Sequence, residues 1–237
     1  MAVRLCLALL AVSLAATQAV AAEAPQPQAT GGSLPAPGKP VAKGNVLLEP
    51  ASRSADFRGE ASSSDARQMA DWALASGDSR GLPYIIVDKV NAKVFLFNGR
   101  GQLQGAAPAL LGLGRGDESV AGIGQMRLAT ISPGERTTPA GRFEASLGHD
   151  FEQDILWVDY ASALSLHRVI VGNRKDRRRD RLASATSLDN RISYGCINVP
   201  AGFYDKVVIP AFTATVGIVY ILPETKRISE VFAIPVN

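Results

Sequence analysis

From residue 84 to residue 222 the chain is a series of short β-branched and aromatic runs, cut by turns bearing glycine and asparagine. That punctuation leaves little room for anything but a β-rich fold. Tyr84-Ile85-Ile86-Val87-Asp88 and Lys93-Val94-Phe95-Leu96-Phe97 are strand-length runs joined by a short turn around Asn91. Asn98-Gly99-Arg100-Gly101 is the next hairpin signal, because Asn and Gly tolerate the positive φ such turns need. Further strands are expected at 103–113, 142–147, 155–159, 163–171, 217–222 and 231–236. Helical signals are fewer. Ser62-Ser63-Ser64-Asp65 reads as an N-cap, Ala66, Met69, Ala70 and Ala73 follow at helical spacing, and Gly77 ends the run. Met69 and Trp72 are packing residues of that helix. Pro200 opens a second helix over 201–208. The expectation is a mainly β fold: one sandwich- or barrel-like domain over 81–237 with two or three short helices, entered through a short helix within 61–80.

Residues 1–22 stand apart. Arg4 is a positive start, 5–20 is an apolar run, and Ala19-Val20-Ala21-Ala22 offers a cleavage site before polar Glu23. This is the pattern of a secretory signal peptide. An uncleaved anchor is the other reading, but the Ala-rich exit and the lack of a charged stop favour cleavage and export, with no membrane association afterwards. Residues 23–60 are rich in Pro, Ala, Gly and Gln, a composition that suits a flexible tether. With 46% hydrophobic and 20% charged residues, the remainder has ample material for a packed core.

Export changes the meaning of the cysteines. If Cys6 leaves with the signal, Cys196 remains alone in a compartment where thiols are normally paired or avoided. It lies in Ser193-Tyr194-Gly195-Cys196-Ile197-Asn198, on a glycine-permitted turn before a helix-like run. A small residue buried at a strand end is one reading, and a presented nucleophile the other. A cysteine nucleophile needs a base, because only a few per cent of an ordinary thiol is thiolate near neutrality. His167, in the apolar run Ala163-Leu164-Ser165-Leu166-His167-Arg168-Val169, is either a core histidine or that base. His149, beside Gly148 and Asp150, suits a surface or structural role.

Between His167 and Cys196 lies Arg174-Lys175-Asp176-Arg177-Arg178-Arg179-Asp180-Arg181, whose net +4 exceeds the +3 of the whole chain. A solvated face is the default reading. An electropositive rim that favours thiolate and attracts carboxylates is the functional one. No aromatic platform accompanies the run, which speaks against nucleic acid as a partner. One Cys and two widely spaced His make no recognisable metal site, and no Gly-x-Ser-x-Gly elbow is present. Gly112-Leu113-Gly114-Arg115-Gly116-Asp117 lacks the strand–glycine–helix context of a phosphate cradle and reads as a loop.

Taken together, His167, the segment 193–198 and Thr138-Pro139-Ala140-Gly141-Arg142-Phe143 resemble the catalytic domain of the L,D-transpeptidase family (YkuD-type), exported bacterial enzymes of cell-wall peptidoglycan. The likeness runs from about residue 84 to 222. The family's pattern is a histidine, a spacer, then Ser/Thr-His-Gly-Cys, an apolar residue, and Asn or Arg; its upstream segment is Thr-Pro-x-Gly-x-Phe. Two departures stand out: Tyr194 replaces the histidine before Gly-Cys, and the spacer is longer, its surplus including the basic run. The resemblance implies a periplasmic or cell-envelope enzyme that needs no cofactor and acts on peptidoglycan stem peptides. Cys196 would be the nucleophile and His167 the general base, oriented by the carbonyl of Arg168. N–H groups around Gly195 and Cys196 would face the oxyanion, and Ser193, Tyr194 and Asn198 would support turn and substrate. Transfer to an amine gives a cross-link, and transfer to water a shortened stem. A non-catalytic wall-binding protein of the same fold is a further alternative.

Overall fold

The computed structural model describes residues 54–150 and 153–234. The expected signal segment and most of the expected tether lie outside them, as do 235 and 236 of the expected last strand. Ten strands and four helices follow in order, joined in places by 3₁₀ turns: α1 (Ser64–Ser76), β1 (Tyr84–Asp88), β2 (Lys93–Phe97), β3 (Leu103–Pro108), β4 (Leu111–Gly112), β5 (Gly141–Asp150), β6 (Gln153–Asp159), β7 (Leu164–Arg168), α2 (Arg178–Ala183), β8 (Arg191–Ser193), β9 (Ile197–Val199), α3 (in three segments, Ala201–Phe203, Tyr204–Val208 and Ile209–Phe212), β10 (Val216–Ile221) and α4 (Ile228–Val231).

Eight strands form one sheet in the order β3-β2-β1-β10-β5-β6-β7-β9, parallel at β1/β10 and β7/β9 and antiparallel elsewhere. The chain leaving β3 bends round to meet the far edge. Leu110 N–H donates to the Asn198 carbonyl at 2.8 Å, and the Leu110 carbonyl accepts from Asn198 N–H at 2.9 Å, which nearly closes the sheet. The expected sandwich or barrel is therefore barrel-like.

The continuous apolar runs of β1 and β2 reflect burial on both faces. Ile85, Val87, Val94 and Leu96 point into an inner core with Leu156, Leu166, Ile197 and Val219. Tyr84, Ile86, Phe95 and Phe97 point outward against α1, whose Ala66, Met69, Ala70 and Ala73 are fully buried. The Ser63 side chain caps α1 by accepting from Ala66 N–H, and Gly77 ends it in the left-handed conformation, as the sequence implies.

Three expectations are corrected. The run 103–113 is two strands, because Pro108 has no N–H for the ladder and Ala109 turns its own to Ala92. The run 231–236 is not a strand. Glu230 accepts from Arg227 N–H at 2.7 Å and nucleates the single turn α4, which drops Phe232 and Ile234 into the outer core. The helix after Pro200 continues to Phe212, π-wound over Tyr204–Val208 just before Pro210 withdraws an N–H.

Packing also begins before residue 61, where composition ends the tether. Phe57 is 4% exposed, and its ring meets Phe95 at 5.4 Å and Phe97 at 5.0 Å, both edge-on. Truncating it removes two aromatic pairs and leaves a cavity. Phe57→Ala is expected to cost about 3–5 kcal/mol. Urea unfolding measures this, and a loss below about 1 kcal/mol would mean the segment is not part of the cooperative unit.

Candidate active site

The turn 193–198 links β8 to β9, and its shape is dictated by glycine. Gly195 has φ +130°, and a Cβ there would stand 2.8 Å from the Thr137 carbonyl oxygen. No other residue fits both constraints. Three side chains then brace the peptide. Ser193 Oγ donates to the Cys196 carbonyl at 2.6 Å and accepts Gly195 N–H at 3.1 Å. Asn198 Nδ2 donates to the same Cys196 carbonyl at 3.1 Å. Thr138 Oγ1 donates to the Gly195 carbonyl at 2.7 Å and accepts Gly112 N–H at 2.9 Å. Gly195 N–H is thus already committed. Those of Tyr194 and Cys196 carry no hydrogen bond among the described residues.

The result is a half-buried thiol, unpaired with any other cysteine. Ser165 Oγ donates to Sγ at 3.5 Å, and the thiol donates to the Ala163 carbonyl at 3.6 Å. His167 lies opposite Asn198 in the β7/β9 register, on the strand next to the one that follows Cys196. Its Nδ1 is 2.7 Å from the Arg168 carbonyl. A carbonyl can only accept, so Nδ1 carries a proton and Nε2 is the nitrogen free to exchange one. Burial pushes the Cys196 thiol up, but hydrogen bonds from His167 and Ser165 and the electrostatic pull of His167 outweigh it. The thiol lies below its ordinary value.

The structure brings Cys196, His167, Ser193, Gly195 and Asn198 together, along with the Arg168 carbonyl. The Arg168 side chain points elsewhere, paired with Asp154 at 2.8 Å and Asp205 at 2.6 Å. Tyr194 is 38% exposed and lines a narrow cleft with Cys196, Ile123, Pro139 and Ala163. The Arg136 guanidinium stacks on its ring, 4.0 Å from the centroid. His149 lies near the end of β5 and is exposed. Among the described residues no three His, Cys, Asp or Glu side chains are grouped to hold a metal.

The basic run folds into a 3₁₀ turn and α2. Two of its six cations are paired internally, Arg177 with Asp180 and Arg178 with Asp176, and Arg181 donates to the Asp176 carbonyl, so the run keeps its net +4. Arg178 alone reaches the motif, donating to Asn198 Oδ1 at 3.1 Å. His167 and Ser165, not this run, are the chief influences lowering the thiol.

Residues the sequence reading passed over complete the site. Ser165 was legible in principle, since positions two apart on a strand share a face and His167 follows at that spacing. Behind the turn lies a buried ionic cluster with no such signal. Lys89, 1% exposed, donates to Asp117 Oδ1 at 2.7 Å, the Gly116 carbonyl at 2.6 Å and the Thr138 carbonyl at 2.9 Å. Arg191 pairs with Glu224 at 2.6 Å and also donates to the Lys89 carbonyl at 2.9 Å. Burial pushes the Asp117 carboxyl up. Lys89, the Thr225 hydroxyl and the N–H groups of Glu224 and Thr225 outweigh that and hold it well below the usual carboxylate range.

No family model matches this chain, and no curated protein matches it. Solved structures do. The helical cell shape determining protein Pgp2 from Campylobacter jejuni is 14% identical, with 68% of this chain and 57% of that one covered and a TM-score of 0.41. The LD transpeptidase LdtMt1 in complex with imipenem is 13% identical, with coverage of 59% and 58% and a TM-score of 0.35. An L,D-transpeptidase from Mycobacterium smegmatis is also 13% identical, with the same coverage and a TM-score of 0.34. This chain thus spans less than two-thirds of each of these proteins.

Two outcomes are expected. The alkylation rate of Cys196 should rise with pH around a midpoint below about 8.5, and Ser165→Ala and His167→Ala should each move that midpoint up. A wild-type midpoint at or above that value would contradict the geometry. Lys89→Met should lower stability by about 3–5 kcal/mol, by leaving a buried carboxylate without its cation. Because the folded-state pKa of Asp117 is depressed, its stabilisation is present above the ordinary carboxylate range and lost as pH falls below it. Urea midpoints between pH 3 and 7, an interval spanning about that range, should therefore depend less on pH in the variant.

Proposed function

We propose that this protein is an exported cysteine acyltransferase acting on peptidoglycan stem peptides, an L,D-transpeptidase by reaction. The observation that carries the reading is a half-buried Cys196 thiol, lowered by His167 and Ser165, beside a histidine whose Nδ1 is fixed on a backbone carbonyl. The motif likeness at 138–143 and 193–198 supports the substrate class. Residues 1–22 would direct export to the periplasm or cell envelope, and the Pro/Ala/Gly-rich stretch that follows would tether the domain.

In this reaction His167 Nε2 takes the Cys196 proton as sulfur attacks the carbonyl of the stem peptide. The C–S bond forms, and negative charge gathers on the carbonyl oxygen. The N–H groups of Tyr194 and Cys196 are the donors left free to meet it, a contribution typically of about 3 kcal/mol. Gly195 N–H, first expected in that role, serves the turn through Ser193. The C–N bond then breaks, and the histidine returns its proton to the departing amine. An acceptor amine attacks the thioester, His167 takes the amine's proton, and the peptide product and the free thiol are released.

Incubation with a carbapenem or a tetrapeptide stem should add one acyl group to Cys196, read by intact mass, and Cys196→Ala should gain none. Equal labelling of the variant would refute the assignment. Cross-linked rather than shortened stems distinguish transfer from hydrolysis.

A further inference from the structure

Arg136 is an ordered cation without an acid. Gly114 N–H donates to its carbonyl at 3.0 Å, fixing the backbone, while Nε and one terminal nitrogen both donate to the Ile131 carbonyl at 3.1 and 3.0 Å. The guanidinium carbon sits over the Tyr194 ring, 4.0 Å from its centroid. Side chain and backbone are therefore both immobilised, and the residue is only half-buried. Yet none of the ion pairs among the described residues includes it. By contrast Arg142, Arg168 and Arg191 each meet a carboxylate within 2.8 Å. Arg127, which has no acid either, is simply exposed to water.

Holding a long side chain in one orientation costs rotamer entropy, and leaving its charge half-desolvated costs more. Stacking on a tyrosine offsets about 0.5–2 kcal/mol and fixes the plane of the fork. A fixed guanidinium with uncommitted donors is suited to a planar anion, a carboxylate above all. Its position supplies the context. Tyr194 walls the cleft that holds Cys196, and Thr137, the next residue after Arg136, lines the same cleft.

We infer that Arg136, held on Tyr194, receives a free carboxylate of the acyl donor and so selects which donors reach Cys196. This rests on the acyl-transfer reading and adds to it a chemical requirement on the donor. It also accounts for the tyrosine at 194, whose ring is the platform that holds the cation in place.

The test uses two probes that alkylate Cys196 without any turnover, bromoacetyl-D-alanine and its neutral amide. In each, sulfur displaces bromide, one C–S bond forming as one C–Br bond breaks, so their rate ratio reports the carboxylate alone. Wild-type protein should react faster with the acid than with the amide. Arg136→Gln, which keeps packing against Tyr194 but loses the charge, should lower the ratio by at least about tenfold, the scale of one charge-assisted contact. Taking a ratio cancels any general loss of thiol reactivity in the variant. Equal rates in the wild type, or a ratio that Arg136→Gln leaves unchanged, would overturn this inference alone. No alkylation by either probe would overturn it together with the acyl-transfer reading.

Discussion

The buried ammonium of Lys89 is the contact on which the working end of this molecule depends. Three chain segments distant in sequence have no reason of their own to meet: the loop after β4, the Thr-Pro turn before β5, and the segment after β10. Lys89 binds the first through Gly116 and Asp117 and the second through Thr138. Asp117 then gathers the third by accepting N–H groups of Glu224, Thr225 and Lys226. Two buried cations, Lys89 and Arg191, face two buried anions, Asp117 and Glu224, and exposed Arg115 reaches Glu224 from outside at 3.6 Å. Buried ions of this kind add little net stability compared with an apolar core, but they penalise every arrangement in which one of them loses its partner. The cluster therefore acts mainly by excluding other placements of the Thr-Pro turn.

That placement is transmitted directly to the turn that carries Cys196. Lys89 fixes the Thr138 carbonyl, and the same residue's hydroxyl fixes the Gly195 carbonyl. Thr137 presses on the bare face of Gly195 from the other side, where even a methyl group would collide. A thiol on such a turn does not need to be moved into position by substrate. Its surroundings are fixed before binding, which is how oriented donors lower a barrier without reorganisation.

How much of this could be read from the residues alone divides along a physical line. β1 and β2 were legible because burial on both faces writes an unbroken apolar run into the chain. Cys196 and His167 were legible because few thiols or imidazoles compete with them. The run 231–236 was misleading because Val231, Phe232 and Ile234 are apolar for a core that a single helical turn can reach as well as a strand. A reciprocal contact between Arg227 and Glu230 settled the matter, and periodicity does not report it. Lys89, Asp117, Arg191 and Glu224 were invisible for a related reason. A charged residue in sequence looks solvated until its partner is known, and here Lys89 lies 28 residues from Asp117 and Arg191 lies 33 from Glu224. The basic run is conspicuous in the opposite sense: it carries a net +4, yet Arg178 alone of it reaches the motif.

Asn198 shows why fold and site cannot be separated here. Its backbone exchanges both hydrogen bonds with Leu110 and so joins the two edges of the sheet. Its register places it beside His167, its side-chain amide holds the Cys196 carbonyl, and its side-chain oxygen accepts from Arg178. Opening the seam at Leu110 would release the residue that braces the Cys196 carbonyl and sits across from His167. The closure of the sheet and the bracing of the turn that carries Cys196 therefore rest on the same residue, and the surroundings of the thiol are in place only while that edge is closed.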